Sequence, residues 1–140
     1  MKTFQTSREI SASKTQVFEA ISHPDRLARW WGPAGFTNTF KLFQFEVGGR
    51  WSFVMHGPDG TDYVNESEFV EIITNEKVVI RHLVQPHFTL TIQLIESEKG
   101  TVVDWNQEFE SEEVAKNVAP IVIPSNEQNL DRLTTEVCGR

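Results

Sequence analysis

Apolar and polar positions alternate along most of this chain, and the period of the alternation changes only near its two ends. Phe4, Thr6, Arg8 and Ile10 alternate with Gln5, Ser7 and Glu9, the two-residue period of a strand. Ser13-Lys14-Thr15-Gln16 then has capping-box spacing: the serine side chain accepts from a first-turn amide and the glutamine reaches back to the serine amide. Val17, Phe18 and Ile21 continue as a helical apolar stripe, which His23-Pro24-Asp25 ends. A second short helix is predicted from Asp25 to Trp31. Gly32-Pro33 stops it, because proline lacks an amide proton and drives its predecessor out of the helical region.

From Thr37 to Phe109 the two-residue period is broken only by turn chemistry, at Gly48-Gly49, Pro58-Asp59-Gly60, Thr74-Asn75-Glu76-Lys77, Gln85-Pro86-His87 and Ser97-Glu98-Lys99-Gly100. Six further antiparallel strands are expected. The stretch from Ser111 to Val118 is polar and helix-compatible, but Pro120 and Pro124 interrupt it. The last helix is therefore expected to start at a second capping box, Ser125-Asn126-Glu127-Gln128, and to carry Leu130, Leu133 and Val137 on its buried face. That leaves it about 16 residues, or four turns. The element order is strand, two helices, six strands, helix: an α+β chain.

Turn type then identifies the inner face of the sheet. Pro58-Asp59-Gly60 suits a three-residue hairpin loop with glycine in the left-handed position, which pairs Met55 with Tyr63, Phe53 with Asn65 and Trp51 with Ser67. A two-residue loop would flip one strand to the other face. The chosen register leaves Ser52, His56, Asp62, Glu66 and Glu68 to solvent. Carried onward, the same face takes Phe69 near His82, then Val78, Ile80 and Val84, then Phe88, Leu90, Ile92 and Leu94, and finally Val103, Trp105, Gln107 and Phe109. Arg81, Thr89, Thr91, Gln93, Asp104 and Glu108 fall on the other. One face is apolar and the other wet, so the helices must cover the first.

Composition sharpens this picture in three ways. The length of 140 residues suits one domain, residues 1–140, rather than two. Ten Phe and four Trp against one Tyr give large rings without polar handles, which either pack tightly or enclose an apolar cavity. A net charge of -7, with the acidic excess in the second half around Asp104, Glu108, Glu110, Glu112 and Glu113, argues against nucleic acid or a lipid surface as partner. The lone cysteine, Cys138, has no internal partner and points to a reducing compartment. No apolar run reaches the roughly 18 residues of a membrane span, and the first residues turn polar too soon for a signal peptide, so a cytoplasmic protein without membrane insertion is expected.

Candidate chemistry is sparse. The histidines, His23, His56, His82 and His87, lack metal-ligand spacing, no serine sits in a nucleophile elbow, and Gly48-Gly49-Arg50 is a turn rather than a phosphate loop, so neither a metal nor another cofactor is expected. The inward face does hold polar exceptions: Tyr63, Asn65, Ser67, His82 and Gln107. Each costs about 1–3 kcal/mol if buried unpaired, so they must either satisfy one another or face a ligand cavity. His82 in an apolar pocket could act as a general acid or base, although an inward histidine is more often a satisfied core residue. Trp30 and Trp31, beside Gly32-Pro33, are placed for a cavity rim, or one of them for plain packing of the short helix.

Arg29-Trp30-Trp31-Gly32-Pro33 followed by Gly35-Phe36-Thr37, then Val47-Gly48-Gly49-Arg50-Trp51 and Met55-His56-Gly57-Pro58-Asp59-Gly60, resembles the Activator of HSP-90 ATPase homologue-like family of the START/SRPBCC superfamily. The resemblance extends over nearly the whole chain. It implies the helix-grip (START/Bet v-like) fold: a curved seven-stranded antiparallel sheet around a C-terminal helix, two short helices after the first strand, and a cavity that in the superfamily holds lipids, polyketides or hormones. The proline-interrupted last helix departs from the long continuous helix of the family, so Ala119-Pro120-Ile121-Val122-Ile123-Pro124 is expected either to leave the cavity open or to plug it.

Three functions follow in order. The first is a domain binding a hydrophobic small molecule through Trp30, Trp31, Trp51, Phe53, Met55, Tyr63, Asn65, His82, Trp105 and Gln107. The second is a chaperone-interacting domain, although the co-chaperone that names the family has a separate N-terminal domain supplying much of that contact, which nothing here matches. The third is a cyclase- or hydrolase-type enzyme. Binding is favoured over catalysis, and a homodimer is left open.

Overall fold

The computed structural model describes residues 2–139. Strand β1 (Thr3–Ile10) leads into helices α1 (Lys14–Ser22) and α2 (Pro24–Trp30). Strands β2 (Thr37–Phe43), β3 (Arg50–His56), β4 (Asp62–Ile73), β5 (Lys77–His82), β6 (Phe88–Glu96) and β7 (Thr101–Phe109) follow, and helix α3 (Glu112–Cys138) ends the chain. The strands form one curved antiparallel sheet in the order β1-β7-β6-β5-β4-β3-β2. Each neighbour in sequence is a neighbour in the sheet, except that β1 closes against β7.

Local chemistry accounts for the elements. Ser13 caps α1 as its spacing predicts: Oγ accepts from the Gln16 amide at 3.1 Å and Gln16 Oε1 accepts from the Ser13 amide at 2.9 Å. His23 ends α1 and starts α2, with Pro24 in the first turn where its missing amide proton costs nothing. In the β3–β4 hairpin the loop is Pro58-Asp59-Gly60, with Gly60 at φ 89° and the Gly57 amide donating to the Thr61 carbonyl at 2.7 Å. Met55 pairs with Tyr63, Phe53 with Asn65 and Trp51 with Ser67, the predicted register.

The next hairpin differs from expectation. Ile73 pairs with Lys77, so the turn is shorter than predicted, and a bulge between Phe69 and Glu71 shifts the strand again. Phe69 consequently faces Ile80, and His82 faces Ser67. This bulge and another between Phe40 and Leu42 add twist, which bends the sheet toward the helices.

The larger correction concerns α3. It starts at Ser111, whose Oγ accepts from the Val114 amide at 3.2 Å, and runs for 27 residues straight through Pro120 and Pro124. Ser125 is an interior residue, not a cap. Each proline removes one helix bond and crowds the carbonyl four residues back, here those of Lys116 and Pro120. Lys116, Pro120 and Pro124 are all exposed, so the defects lie on one solvent-facing stripe where water replaces the lost donors. The helix is about 40 Å long, and Gly139 terminates it in the left-handed region at φ 77°.

The core lies between the concave sheet face and the helices. Trp30, Trp51, Ile92, Val103, Leu130 and Leu133 are completely buried, and Val137 packs against them half-buried. α3 rests on β1, β7, α1 and α2. Arg81, Gln93 and Glu108 of the outer face are exposed.

Candidate functional site: a cleft beneath the first half of the last helix

A cleft of about 700 Å³ opens between the concave sheet face and the middle of α3. Its floor is apolar: Phe53, Met55, Ile80, Phe88, Leu90 and Trp105, which the period-two pattern sends to one side of β3, β5, β6 and β7. Ile121 and Val122 form the helix wall, joined by Ser125, Asn126 and Asn129. Trp31, Gly32, Pro33 and Phe36 form one rim.

That rim is held by α3. Arg132 Nη1 donates to the carbonyls of Trp31, Gly32 and Pro33 at 3.2, 2.9 and 2.8 Å, and Nη2 donates to those of Arg29 and Phe36 at 2.8 and 2.9 Å. One guanidinium thus serves five carbonyls around the negative end of the α2 dipole, where a cation is favoured. Burial shifts Arg132 below its ordinary pKa, since desolvation opposes its charge. Asn129 completes the grip: Oδ1 accepts from the Gly32 amide at 3.3 Å and Nδ2 donates to the Trp30 carbonyl at 2.9 Å. Gly32 sits at φ 99°, so the backbone requires glycine; the nearest atom to a Cβ there is Met55 Cε at 2.7 Å, the end of a flexible side chain that can give way.

The polar groups of the cleft form two sets. In the first, His82 Nδ1 lies 2.8 Å from the Pro86 carbonyl and Nε2 lies 2.7 Å from Asn65 Oδ1, while Asn65 Nδ2 donates to the Tyr63 carbonyl at 3.0 Å. The ring stacks on Phe88 with centroids 4.6 Å apart. Burial pushes the imidazole below its ordinary pKa, against a pull in the other direction from the Pro86 carbonyl. A carbonyl only accepts, so the neutral ring carries its proton on Nδ1, and Nε2 is then an acceptor that gives Asn65 Oδ1 no hydrogen bond. In the second set, Asn126 Nδ2 donates to Gln107 Oε1 at 3.1 Å, tying α3 to β7. Trp105 Nε1 is buried with no partner.

Of the residues the sequence nominates, Trp31, Phe53, Met55, Tyr63, Asn65, His82, Trp105 and Gln107 line this cleft. Tyr63 stands at the mouth, nearly half exposed, its ring 5.9 Å from that of Phe36. Trp30 and Trp51 do not line it. Trp30 is buried beneath, its Nε1 donating to the Ala20 carbonyl at 2.9 Å, because neighbouring helix positions point about 100° apart and only one indole can face the cleft. Trp51 stacks on Phe53 at 4.1 Å and is covered by Trp31 at 4.9 Å, so the right face of the sheet is not enough to reach the cavity. Asn126, Asn129 and Arg132 were missed as site residues. The signal was present, since Asn126, Asn129 and Leu133 are spaced by three and four residues within the helix expected from Ser125; only Val122, four residues before Asn126, required the helix to continue through its prolines.

A second hollow, about 670 Å³, lies at the opposite ends of the strands between Ser11–Thr15, Thr74–Glu76 and Glu96–Gly100, with polar walls crossed by the Lys14–Glu76 ion pair. Among the described residues no group of three or more His, Cys, Asp or Glu side chains is placed to hold a metal, and no helix is long and apolar enough to cross a membrane.

Seven antiparallel strands curved around a long C-terminal helix, with two short helices after the first strand, are the helix-grip fold. The sequence profile of the family described as Activator of Hsp90 ATPase homolog 1-like protein matches residues 11–137, and the chain belongs to that family. Among solved structures, a Nitrosomonas europaea protein superposes with a TM-score of 0.90 at 16% identity, covering 99% of this chain and 95% of its own. An Arthrobacter aurescens protein gives 0.89 at 23% identity, covering 99% and 87%. The AHSA1-like protein from Aeromonas hydrophila gives 0.77 at 20% identity, covering 98% and 92%. A search of curated proteins finds no match.

Proposed function

We propose that the protein binds an apolar small molecule in the cleft between its sheet and the first half of α3. The observation that carries this reading is an apolar floor of aromatic and aliphatic side chains combined with a few inward polar groups, including the unpartnered indole of Trp105. Desolvation of the ligand would contribute most of the affinity, and the amides of Asn65, Gln107 and Asn126 would fix its orientation. Family membership is compatible with this and also with a chaperone contact, the function in the family's description. The cleft favours the first.

Nile red, an uncharged dye that brightens in apolar surroundings, tests the reading. It is expected to bind wild type at one molecule per chain and to lose that site in Val122→Trp, which fills the cleft from the half-buried helix wall without touching the core. Equal binding to both proteins, or none to wild type, would sink the idea. Complex formation with Hsp90 by a protein that takes no dye would transfer support to the chaperone reading.

A further inference from the structure

The cleft combines an unused buried hydrogen-bond donor with a lining that carries no cation, and that combination restricts what can occupy it. None of the residues lining it is Lys or Arg. The one carboxylate among them, Asp62, stands at the mouth and accepts from His56 Nδ1 at 2.7 Å. Arg132 lies just behind the rim, but its guanidinium is occupied by five backbone carbonyls. His82 is held toward its neutral form by burial, and its Nδ1 is engaged with Pro86. A carboxylate or phosphate entering here would lose its hydration and meet no positive charge, in a protein whose net charge is -7.

Two amide oxygens of the cleft are taken. Asn129 Oδ1 accepts from Gly32 and Gln107 Oε1 accepts from Asn126. Donors are left over. Trp105, only 2% exposed, has an indole N–H with no partner, and Gln107, 8% exposed, has no protein acceptor for its amide nitrogen among the described residues. These two residues are two apart on β7, so their side chains leave the same face of the strand about 7 Å apart. An unpaired buried donor is unfavourable until an acceptor reaches it.

We infer that the ligand of this cleft is an uncharged molecule that presents a carbonyl-type oxygen to Trp105 and Gln107, and not a carboxylate, phosphate or sulfonate. The inference rests on reading the cleft as a small-molecule site and adds the chemistry of the molecule. Three probes of nearly the same shape separate the two ideas: 2-acetylnaphthalene, 2-ethylnaphthalene and ionised 2-naphthoate, titrated at pH 7.5 into the ¹⁵N-labelled protein. The ketone should bind about tenfold or more tighter than the carboxylate and severalfold tighter than the hydrocarbon, moving the assigned Trp105 indole proton downfield.

Naphthoate binding as tightly as the ketone overturns the inference. So does a ketone that binds no better than the hydrocarbon and leaves the indole resonance in place. Either result keeps the small-molecule reading, whereas failure of all three probes to bind overturns both. Trp105→Phe should narrow the gap between ketone and hydrocarbon to what the Gln107 amide contributes. The wild-type resonance alone decides the outcome if that variant does not fold.

Discussion

The two halves of α3 follow one another without a break, yet they are held in opposite ways. Residues 127–138 carry Leu130 and Leu133, both completely buried, and are fastened on three sides. Arg8 reaches Glu127 at 3.1 Å and Asp131 at 2.7 Å, Arg26 and Arg29 meet Glu136 at 2.9 and 3.0 Å, and Arg132 holds the 31–36 rim. Hydrogen bonds from Arg29 and Arg26 keep the Glu136 carboxyl below its ordinary pKa although partial burial opposes them. Residues 112–126 bury only Ala115, contain both prolines, and leave Ile121 and Ile123 more than half exposed. Packing pins the second half, whereas the first bridges the cleft with little beneath it but the Asn126–Gln107 bond. The half of the helix that stabilises the fold thus shares only Asn129 with the stretch that walls the cleft.

The largest expected effect breaks this contrast directly. Leu130→Ala or Leu133→Ala should cost about 2–5 kcal/mol in urea unfolding, through lost burial and the cavity left behind. Next comes Arg132→Met, which strands several carbonyls of the rim. It is expected to lose about 1–3 kcal/mol and to speed amide exchange across residues 31–36 more than elsewhere, and uniform exchange would show that the guanidinium is not the clamp. Replacing both prolines by alanine should stabilise the first half by about 1 kcal/mol or more, seen as slower exchange over residues 112–124, because the restored amides reach the Lys116 and Pro120 carbonyls.

His82 gives a smaller, pH-dependent effect. Its folded pKa is lowered from 6.5, so between that lowered value and 6.5 the unfolded chain binds more protons than the folded one. The contribution is full above pH 6.5 and is lost as pH falls through the window, so stability should decline on mild acidification. His82→Gln should flatten that decline in chemical melts at successive pH values. Ile121→Ala is the smallest, expected to change stability by less than about 0.5 kcal/mol, since its side chain is 69% exposed.

The sequence was most legible where local chemistry dictates geometry. Pro58-Asp59-Gly60 determined the β3–β4 register, and from that register most of the cleft floor followed. The β4–β5 register slipped because a bulge beside Phe69 leaves no mark in the residues themselves. The extent of α3 was misread because the cost of an interior proline depends on which way its stripe faces, a property of the packed helix and not of the tripeptide. With the helix cut short, Ile121 and Val122 were hidden as part of the cleft wall. Trp30 and Trp51 show a different limit: facing inward and lining a cavity are separated only by what packs on top.

The central claim, that the cleft under residues 121–129 holds an apolar small molecule, is tested most directly by native mass spectrometry of the protein purified from its own host. Wild type should carry a co-purifying compound of defined mass, soluble in organic solvent and without a fixed negative charge, and Val122→Trp should arrive bare. A bare wild-type chain that takes up no apolar probe and forms a complex with Hsp90 would contradict the account.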